Sequence, residues 1–411
     1  MRVSELQPAA YPQSPSVELP NQDAHRLFTD EFNKNSFIED HGDVEIVFNE
    51  KYLEKLLKRK ASTMKKKITY KDAGVDIAKA DDVISLSKNK IQETFNKNVL
   101  SSIGGFGSMY SIKDILQEFK DPVLVQSIDG VGTKMSVAQK ANNFKYIGND
   151  LVSACCNDVA STGAKPLTFL DYVAGSNLEK GVVAEIIKSV AEECKKHGVA
   201  LVGGETAEMP GTYHANEYDL VGIATGIIEK EKVVDGSKVE DGDIAIGVHS
   251  SGLHTNGYSL ARKLIFDSLN LSVDDFLPGY DVTVGSCLLT PHMNYSTLVQ
   301  SFMNNNVNIK SLAHITGGGL IDNVPRVLPN NLSLDININS WKKLPVFEFL
   351  SNALDIEKED LYQTFNMGIG LVIVVSPEEK GEVFRCLGAK NYTEIGVVIK
   401  DESNSVFLNE K

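Results

Sequence analysis

Apolar residues fall along this chain in two kinds of pattern. Short, nearly continuous apolar runs bounded by glycine or polar clusters predict buried strands at 122–128, 167–174, 199–202, 218–228, 244–248 and 309–314. Two more are expected in the run that ends at Val375 and at 393–398. Between them, apolar residues spaced three and four apart predict helices at 81–97, 146–162, 181–197, 258–269, 288–303 and 378–387. Strands alternating with amphipathic helices indicate an α/β fold. A charged stretch without apolar period, 229–243, contains Gly236 and Gly242 and separates two halves. The expected organisation is therefore an N-terminal extension (1–63), a first domain (64–235) and a second (236–411), each domain of ordinary size.

The first 50 residues break this pattern. They are polar and acidic, interrupted by Pro8, Pro12, Pro15 and Pro20, with only 44–48 as a candidate strand. Residues 51–67 turn basic and could form a short helix around Leu53, Leu56 and Leu57. Met64 directly precedes the globular pattern, so translation from Met64 is expected to yield the functional protein, with 1–63 a disordered or appended segment. Acidic residues in the first part argue against an organellar transit peptide.

Composition narrows the function classes. A net charge of −14 argues against binding to nucleic acid, which rests on clustered Lys and Arg, while leaving room for a nucleotide held through Mg²⁺ and backbone amides. No run of about 18 apolar residues exists and no secretory signal opens the chain, so no membrane association is expected and the cytoplasm is the expected compartment. Five cysteines (Cys155, Cys156, Cys194, Cys287, Cys386) lack metal-site spacing and read as reduced thiols.

The chemistry concentrates where strands end. The run 199–202 stops at Gly203-Gly204 and presents Glu205 and Glu208, outside a strand's carboxyl end, where α/β folds place ligands. Asp129 closes an earlier strand and leads into Gly130-Val131-Gly132-Thr133-Lys134; Asp158 follows Asn157 on a helix, and Asp171 lies in a strand. Several hard oxygen ligands suit Mg²⁺, although any single one could be a helix cap or a surface charge. Gly104-Gly105-Phe106-Gly107 either folds over phosphates with its amides or is a flexible turn. Lys134 and Lys88 could neutralise phosphate or be solvated helix charges. Neither glycine segment has the spacing of a Walker A loop or a dinucleotide fingerprint. The turn 250–258 is dense in donors and holds His254, which is either a titrating group or a structural one; His314 and His214 are weaker candidates.

Taken together and in order, Tyr70-Lys71-Asp72-Ala73-Gly74-Val75-Asp76, Gly104-Gly105-Phe106-Gly107, Asp129 to Lys134, Gly203 to Gly211, Ser250 to Ser259, His314 to Gly319 and Phe365 to Gly368 closely resemble the phosphoribosylformylglycinamidine cyclo-ligases, or aminoimidazole ribonucleotide synthetases. The resemblance begins near residue 68 and runs to the C-terminus. It implies a two-domain synthetase-like fold, an N-terminal sheet domain and a C-terminal α/β domain, assembled as a homodimer with ATP near the subunit interface. It further implies an ATP-dependent ring closure of formylglycinamidine ribonucleotide, with Mg²⁺ and a candidate K⁺. By motif, Asp129, His254 and Asn256 would be catalytic, His254 as a proton shuttle. Gly104, Gly105, Phe106, Gly107, Gly130, Gly132, Thr133, Lys134, Lys88, Gly204 and Glu205 would bind ATP, and Asp129, Asp158 and Glu205 the metal.

Rival readings within the superfamily are selenophosphate synthetase, thiamine monophosphate kinase and formylglycinamidine ribonucleotide synthase. The first would want a reactive cysteine between Met64 and Lys140, where none occurs, and the last a far longer chain. A non-catalytic nucleotide-binding protein is disfavoured by the intact Asp129, Glu205 and His254.

Overall fold

Two sheets carry the molecule, and one helix lies between them. In the computed structural model residues 77–388 and 391–410 are described; the expectations for 1–63, for the start at Met64 and for the Tyr70–Asp76 motif lie outside them. All described residues belong to one unit, Tyr70–Lys411.

The first sheet has four strands in the order β1-β4-β2-β3. These are β1 (Pro122–Gly130), β2 (Lys165–Gly175), β3 (Ala200–Glu208) and β4 (Tyr218–Glu229). β2 and β3 are parallel and the other pairs antiparallel. Helices α1 (Ile77–Gln92), α2 (Lys134–Ala141), α3 (Ile147–Ser161) and α4 (Lys180–Lys196) accompany it. Register places Asp129 opposite Gly222, Gly222 opposite Asp171, and Asp171 opposite Gly204, so two carboxylates and two glycines form one row across all four strands.

The second sheet has six strands in the order β10-β7-β9-β5-β8-β6: β5 (Ile244–His249), β6 (Ser311–His314), β7 (Leu332–Asn337), β8 (Ile369–Val375), β9 (Tyr392–Lys400) and β10 (Val406–Asn409). All seven residues of β8 are buried, as expected of a continuous apolar run near a sheet's centre. Short β7 and β10 lack a distinct apolar signature and were not foreseen.

Three differences from the sequence expectation shape the site. β3 does not stop at Gly203; it continues through Glu208. The glycines are there for close approach: a Cβ on Gly203 would collide with the Ser108 hydroxyl, and one on Gly204 with the Asp171 carboxylate. The helix expected over 288–303 is broken, with one helix ending at Leu288 and α5 (Ser296–Asn304) beginning later. Pro291, lacking an N–H, sits in the gap. Likewise the segment 258–269 starts as an α-helix and widens to a π-helix over Lys263–Ser268.

α3 contacts elements of both halves, including β1, β4, β6 and α5. Its polar residues Asp150, Asn157 and Asp158, spaced seven and eight apart, share one face. Each has a partner between His292 and His314, and Asp150 and Asp158 also meet Lys134 and Ser127. Cys155, Cys156 and Cys194 are buried and all five cysteines are free, and burial pushes the Cys155 and Cys156 thiols far above their ordinary value.

Candidate active site

The sequence candidates gather in two places. The first is a cavity of about 540 Å³ between α1, the glycine loop and β2–β3. Gly104, Gly105, Phe106 and Gly107 form one wall, with Gly204 and Glu205 opposite. The loop is anchored at its ends: Leu100 N donates to Met109 O at 2.9 Å, Met109 N to Ser101 Oγ at 3.0 Å, and Ser108 Oγ to Val202 O at 2.7 Å. Gly104, at φ +93°, gives the turn between them. Phe106 is fully exposed at the tip. Asp171 lines the same cavity, and burial pushes its carboxyl up to about 7. Glu205 is exposed and accepts from Thr206 N at 2.9 Å. Lys88 is exposed on α1, four residues after Ile84 and three before Ile91, both of which line the cavity. That spacing puts Lys88 on the cavity side of the helix.

The second place is a buried cluster where α3 meets the second half. Lys134 Nζ and Asp150 Oδ2 pair at 2.7 Å with both side chains fully buried. Burial pushes Asp150 up to about 6 and Lys134 down, while the attraction of each for the other works against both shifts. Lys134 Nζ also donates to Thr290 O at 2.8 Å, and His292 N donates to Asp150 Oδ1 at 2.7 Å. The gap left around Pro291 is what lets this backbone reach the pair. Asn157 Nδ2 donates to Met293 O at 2.8 Å, and its Oδ1 accepts from Tyr295 N at 2.6 Å. Asp158 Oδ1 meets His314 Nδ1 at 2.8 Å, and its Oδ2 accepts from Ser127 Oγ at 3.1 Å.

Three imidazoles converge here. His254 and His292 stack with centroids 4.0 Å apart, and His292 Nε2 lies 3.2 Å from His314 Nε2. His254 is wholly buried, at φ +62°, and its Nε2 accepts from Ser251 N at 3.3 Å. Its Nδ1, left with the ring proton, has no partner within the described residues. Burial holds His254 and His292 far below the ordinary histidine value, so both rings are neutral. Gly370 admits this packing, because a Cβ there would strike Tyr295 and the His254 ring. Thr255 and Asn256, next along the turn, are half-exposed.

Asp129 stands beside this cluster on β1, its Oδ1 accepting from Gly130 N at 2.7 Å, and burial together with the charge of Asp158 raises its carboxyl. Gly130 and Gly132 follow it, and Thr133 Oγ1 lies 3.3 Å from Ser259 Oγ. Asp129 and Asp158 are thus neighbours, whereas Glu205, on the far strand of the sheet, belongs to the cavity. Among the described residues no three His, Cys, Asp or Glu side chains converge as a metal-ligand group. Within one chain the set Asp129, Asp158 and Glu205 is therefore not assembled, because β4 and β2 intervene between β1 and β3. His292, Asn157 and Asp150 escaped the sequence reading. Their signal was present: polar residues at helical spacing on an otherwise apolar helix, and a histidine directly after a proline.

Two family models and several relatives of known name match this chain. The family AIR synthase related protein, N-terminal domain, matches residues 115–228, and AIR synthase related protein, C-terminal domain, matches residues 240–409. Over 343 residues the chain is 46% identical to phosphoribosylformylglycinamidine cyclo-ligase of Geotalea uraniireducens, spanning 82% of this chain and 97% of the relative. The protein of that name from Thermoanaerobacter pseudethanolicus is 44% identical over 342 residues, spanning 82% and 100%. Among solved structures, the hydrogenase maturation protein HypE in complex with ATP superposes with a TM-score of 0.57 at 15% identity, over 80% of this chain and 90% of that one. That likeness concerns the fold.

Proposed function

The chain belongs to the phosphoribosylformylglycinamidine cyclo-ligase family, and from that membership we propose that it converts formylglycinamidine ribonucleotide and ATP to 5-aminoimidazole ribonucleotide, ADP and phosphate in purine biosynthesis. The observation that carries this reading beyond the family name is that the motif residues gather at a glycine-lined cavity and a buried histidine–carboxylate cluster.

The formyl oxygen is a poor leaving group. Transfer of the γ-phosphoryl group to it creates a better one; the ribosyl-bearing nitrogen then attacks the formyl carbon, the ring closes and phosphate departs. Phosphoryl transfer needs positioning and charge neutralisation more than a protein nucleophile. In this reading the amides of Gly104, Gly105 and Gly107, with Phe106 as a lid, cover the triphosphate, and Gly204, Lys88, Gly130, Gly132 and Thr133 complete the nucleotide surface. HypE, of the same fold, was crystallised with ATP. Lys134 acts through Asp150 instead of on phosphate, because its ammonium is enclosed. Asn256 lies next to the substrate and His254 works from beneath it.

Mg²⁺ fits this arrangement through Asp129. One or two carboxylates suffice when phosphate oxygens and water complete an octahedron, and Asp129 Oδ2 takes no hydrogen bond among the described residues. Asp158 is engaged at both oxygens and Glu205 is placed to act only from the cavity side. Bound Mg²⁺ would neutralise the transferring phosphoryl group. Among the described residues no cluster singles out a K⁺ site. The reading also includes a homodimer joined through β1, an edge strand whose Leu124 and Ile128 are exposed. It keeps the domain division at 235/236 and places the enzyme in the cytoplasm. No helix among the described residues is long and apolar enough to cross a membrane.

The test is ADP release with ATP plus formylglycinamidine ribonucleotide against ATP alone. Release only with both is expected; substrate-independent hydrolysis, or none, would sink the cyclo-ligase reading.

A further inference from the structure

We propose that His292 is a positioning residue of this site, the central link of a hydrogen-bonded wire that runs from Asn256 through Thr255 and His314 to Asp158 and sets which face of the Asn256 carboxamide meets the substrate. The proposal rests on the cyclo-ligase reading for its substrate, and on the geometry of five side chains for the wire.

The direction of the wire follows from its acidic end. Asp158 is acceptor-only when ionised, so His314 Nδ1, 2.8 Å away, carries a proton. In the proposed wire the Nε2 of His314 is the acceptor, and His292 Nε2, at 3.2 Å, donates to it. Asn157 Nδ2 lies 3.4 Å from both Nε2 atoms, and in this wire it donates to the bare one, on His314. With its proton on Nε2, the neutral His292 ring has a bare Nδ1, which faces Thr255 Oγ1 at 3.5 Å and accepts its hydroxyl proton. The Thr255 oxygen in turn accepts from Asn256 Nδ2 at 3.4 Å.

Every link therefore donates toward Asp158, and each ring is held in one tautomer. Burial supports this by keeping His292 neutral. The position of the ring is over-determined: its backbone N–H is held by Asp150, and its face is covered by His254 at 4.0 Å. The consequence reaches the surface of the site. With the Asn256 nitrogen committed to Thr255, its carbonyl oxygen is turned toward the Gly317 backbone, whose Cβ position is 3.5 Å away. An acceptor there suits the N–H groups of an amidine, and rejects a ligand that offers a carbonyl in that place.

The experiment uses the full chain with ¹⁵N-labelled histidine. Side-chain ¹⁵N spectra without substrate should show His292 protonated at Nε2 and His314 at Nδ1. Thr255→Val, nearly isosteric and half-exposed, removes the hydroxyl donor. It is expected to move the His292 ring signals and to raise KM for formylglycinamidine ribonucleotide about tenfold, the scale of one hydrogen bond, while KM for ATP stays within about twofold. Thr255→Ser should restore both. His292→Gln, which keeps a donor at the ε position but loses the acceptor, should shift the same KM in the same direction. A wild-type spectrum with His292 protonated at Nδ1 would overturn the wire, as would a Thr255→Val variant with unchanged ring signals and unchanged KM. Failure of the wild-type protein to release ADP with its substrate would instead reject the cyclo-ligase reading and leave the spectroscopic result standing.

Discussion

The glycine-lined cavity and the histidine cluster lie in one unit, yet they are built in opposite ways. Around the cavity a glycine loop faces apolar side chains such as Ile84, Ile91 and Leu170. Phe106 and Glu205 are exposed, and the loop is tied only at its ends through Ser101, Ser108 and Met109. In the cluster, side chains do the work: Lys134, Asp150, Asn157, His254 and His292 are all buried, and nearly every polar atom has a partner. The contrast teaches which chemistry each region can serve. A triphosphate must enter and leave, and a loop of amides with little side-chain entropy to lose can close over it. Orientation of a reacting group needs donors that are already fixed before the substrate arrives, because reorganising them during the reaction costs rate.

The contrast can be broken from either side. The largest effect is expected at the buried pair. Lys134→Met strips Asp150 of its partner in a dry site and should destabilise the fold by about 3–5 kcal/mol in urea unfolding. A loss below about 1 kcal/mol would mean that the pair is solvated. Next comes Asp129→Asn, which removes a charge with almost no change in volume. We expect ADP release to fall by about 10²–10³-fold with the unfolding midpoint unchanged; near-normal turnover would remove Asp129 from the reaction. Gly204→Ala tests the cavity wall. Its methyl group would run into Asp171, so a cost of about 1–3 kcal/mol and a raised KM for ATP are expected, with KM for the ribonucleotide unaffected.

The last test is a pH dependence. Burial raises the Asp171 carboxyl to about 7 in the folded chain, against about 4 when unfolded, so between these values the folded state binds the extra proton. Its contribution to stability is full below pH about 4 and is lost as pH rises through about 7. Urea unfolding of the wild type at pH 5 and 7.5 should show that loss, and Asp171→Asn should flatten it; an equal slope in both proteins would place the dependence elsewhere.

Most of the strands and the larger helices were legible because their signals are local. The apolar run ending at Val375 became β8, and the 3.6-residue period of 181–197 became α4. The errors also have local causes. Gly203-Gly204 read as a strand end, since a glycine pair carries no information about whether it breaks a strand or makes room for a neighbour; Ser108 and Asp171 decide that, and they are distant in sequence. The helix drawn through 288–303 ignored Pro291. Of the site, Asp129, Asp158, Glu205, His254 and the glycine loop could be picked out as residue types in suggestive places. His292 was passed over, because its one local mark, the proline before it, does not say that the ring is buried against α3.

By itself, then, the sequence determined the alternation of strands and helices, a net charge of −14, and a family whose motifs occur in order from residue 70 onward. These depend on the period and chemistry of neighbours along the chain. Only the tertiary structure decided that Lys134 faces Asp150 and is enclosed, that Glu205 is separated from Asp129 by two strands, and that three histidines separated by up to 60 positions share one buried space. Those outcomes depend on strand order and on which face of α3 meets the second half, which are properties of long-range packing that no local pattern encodes.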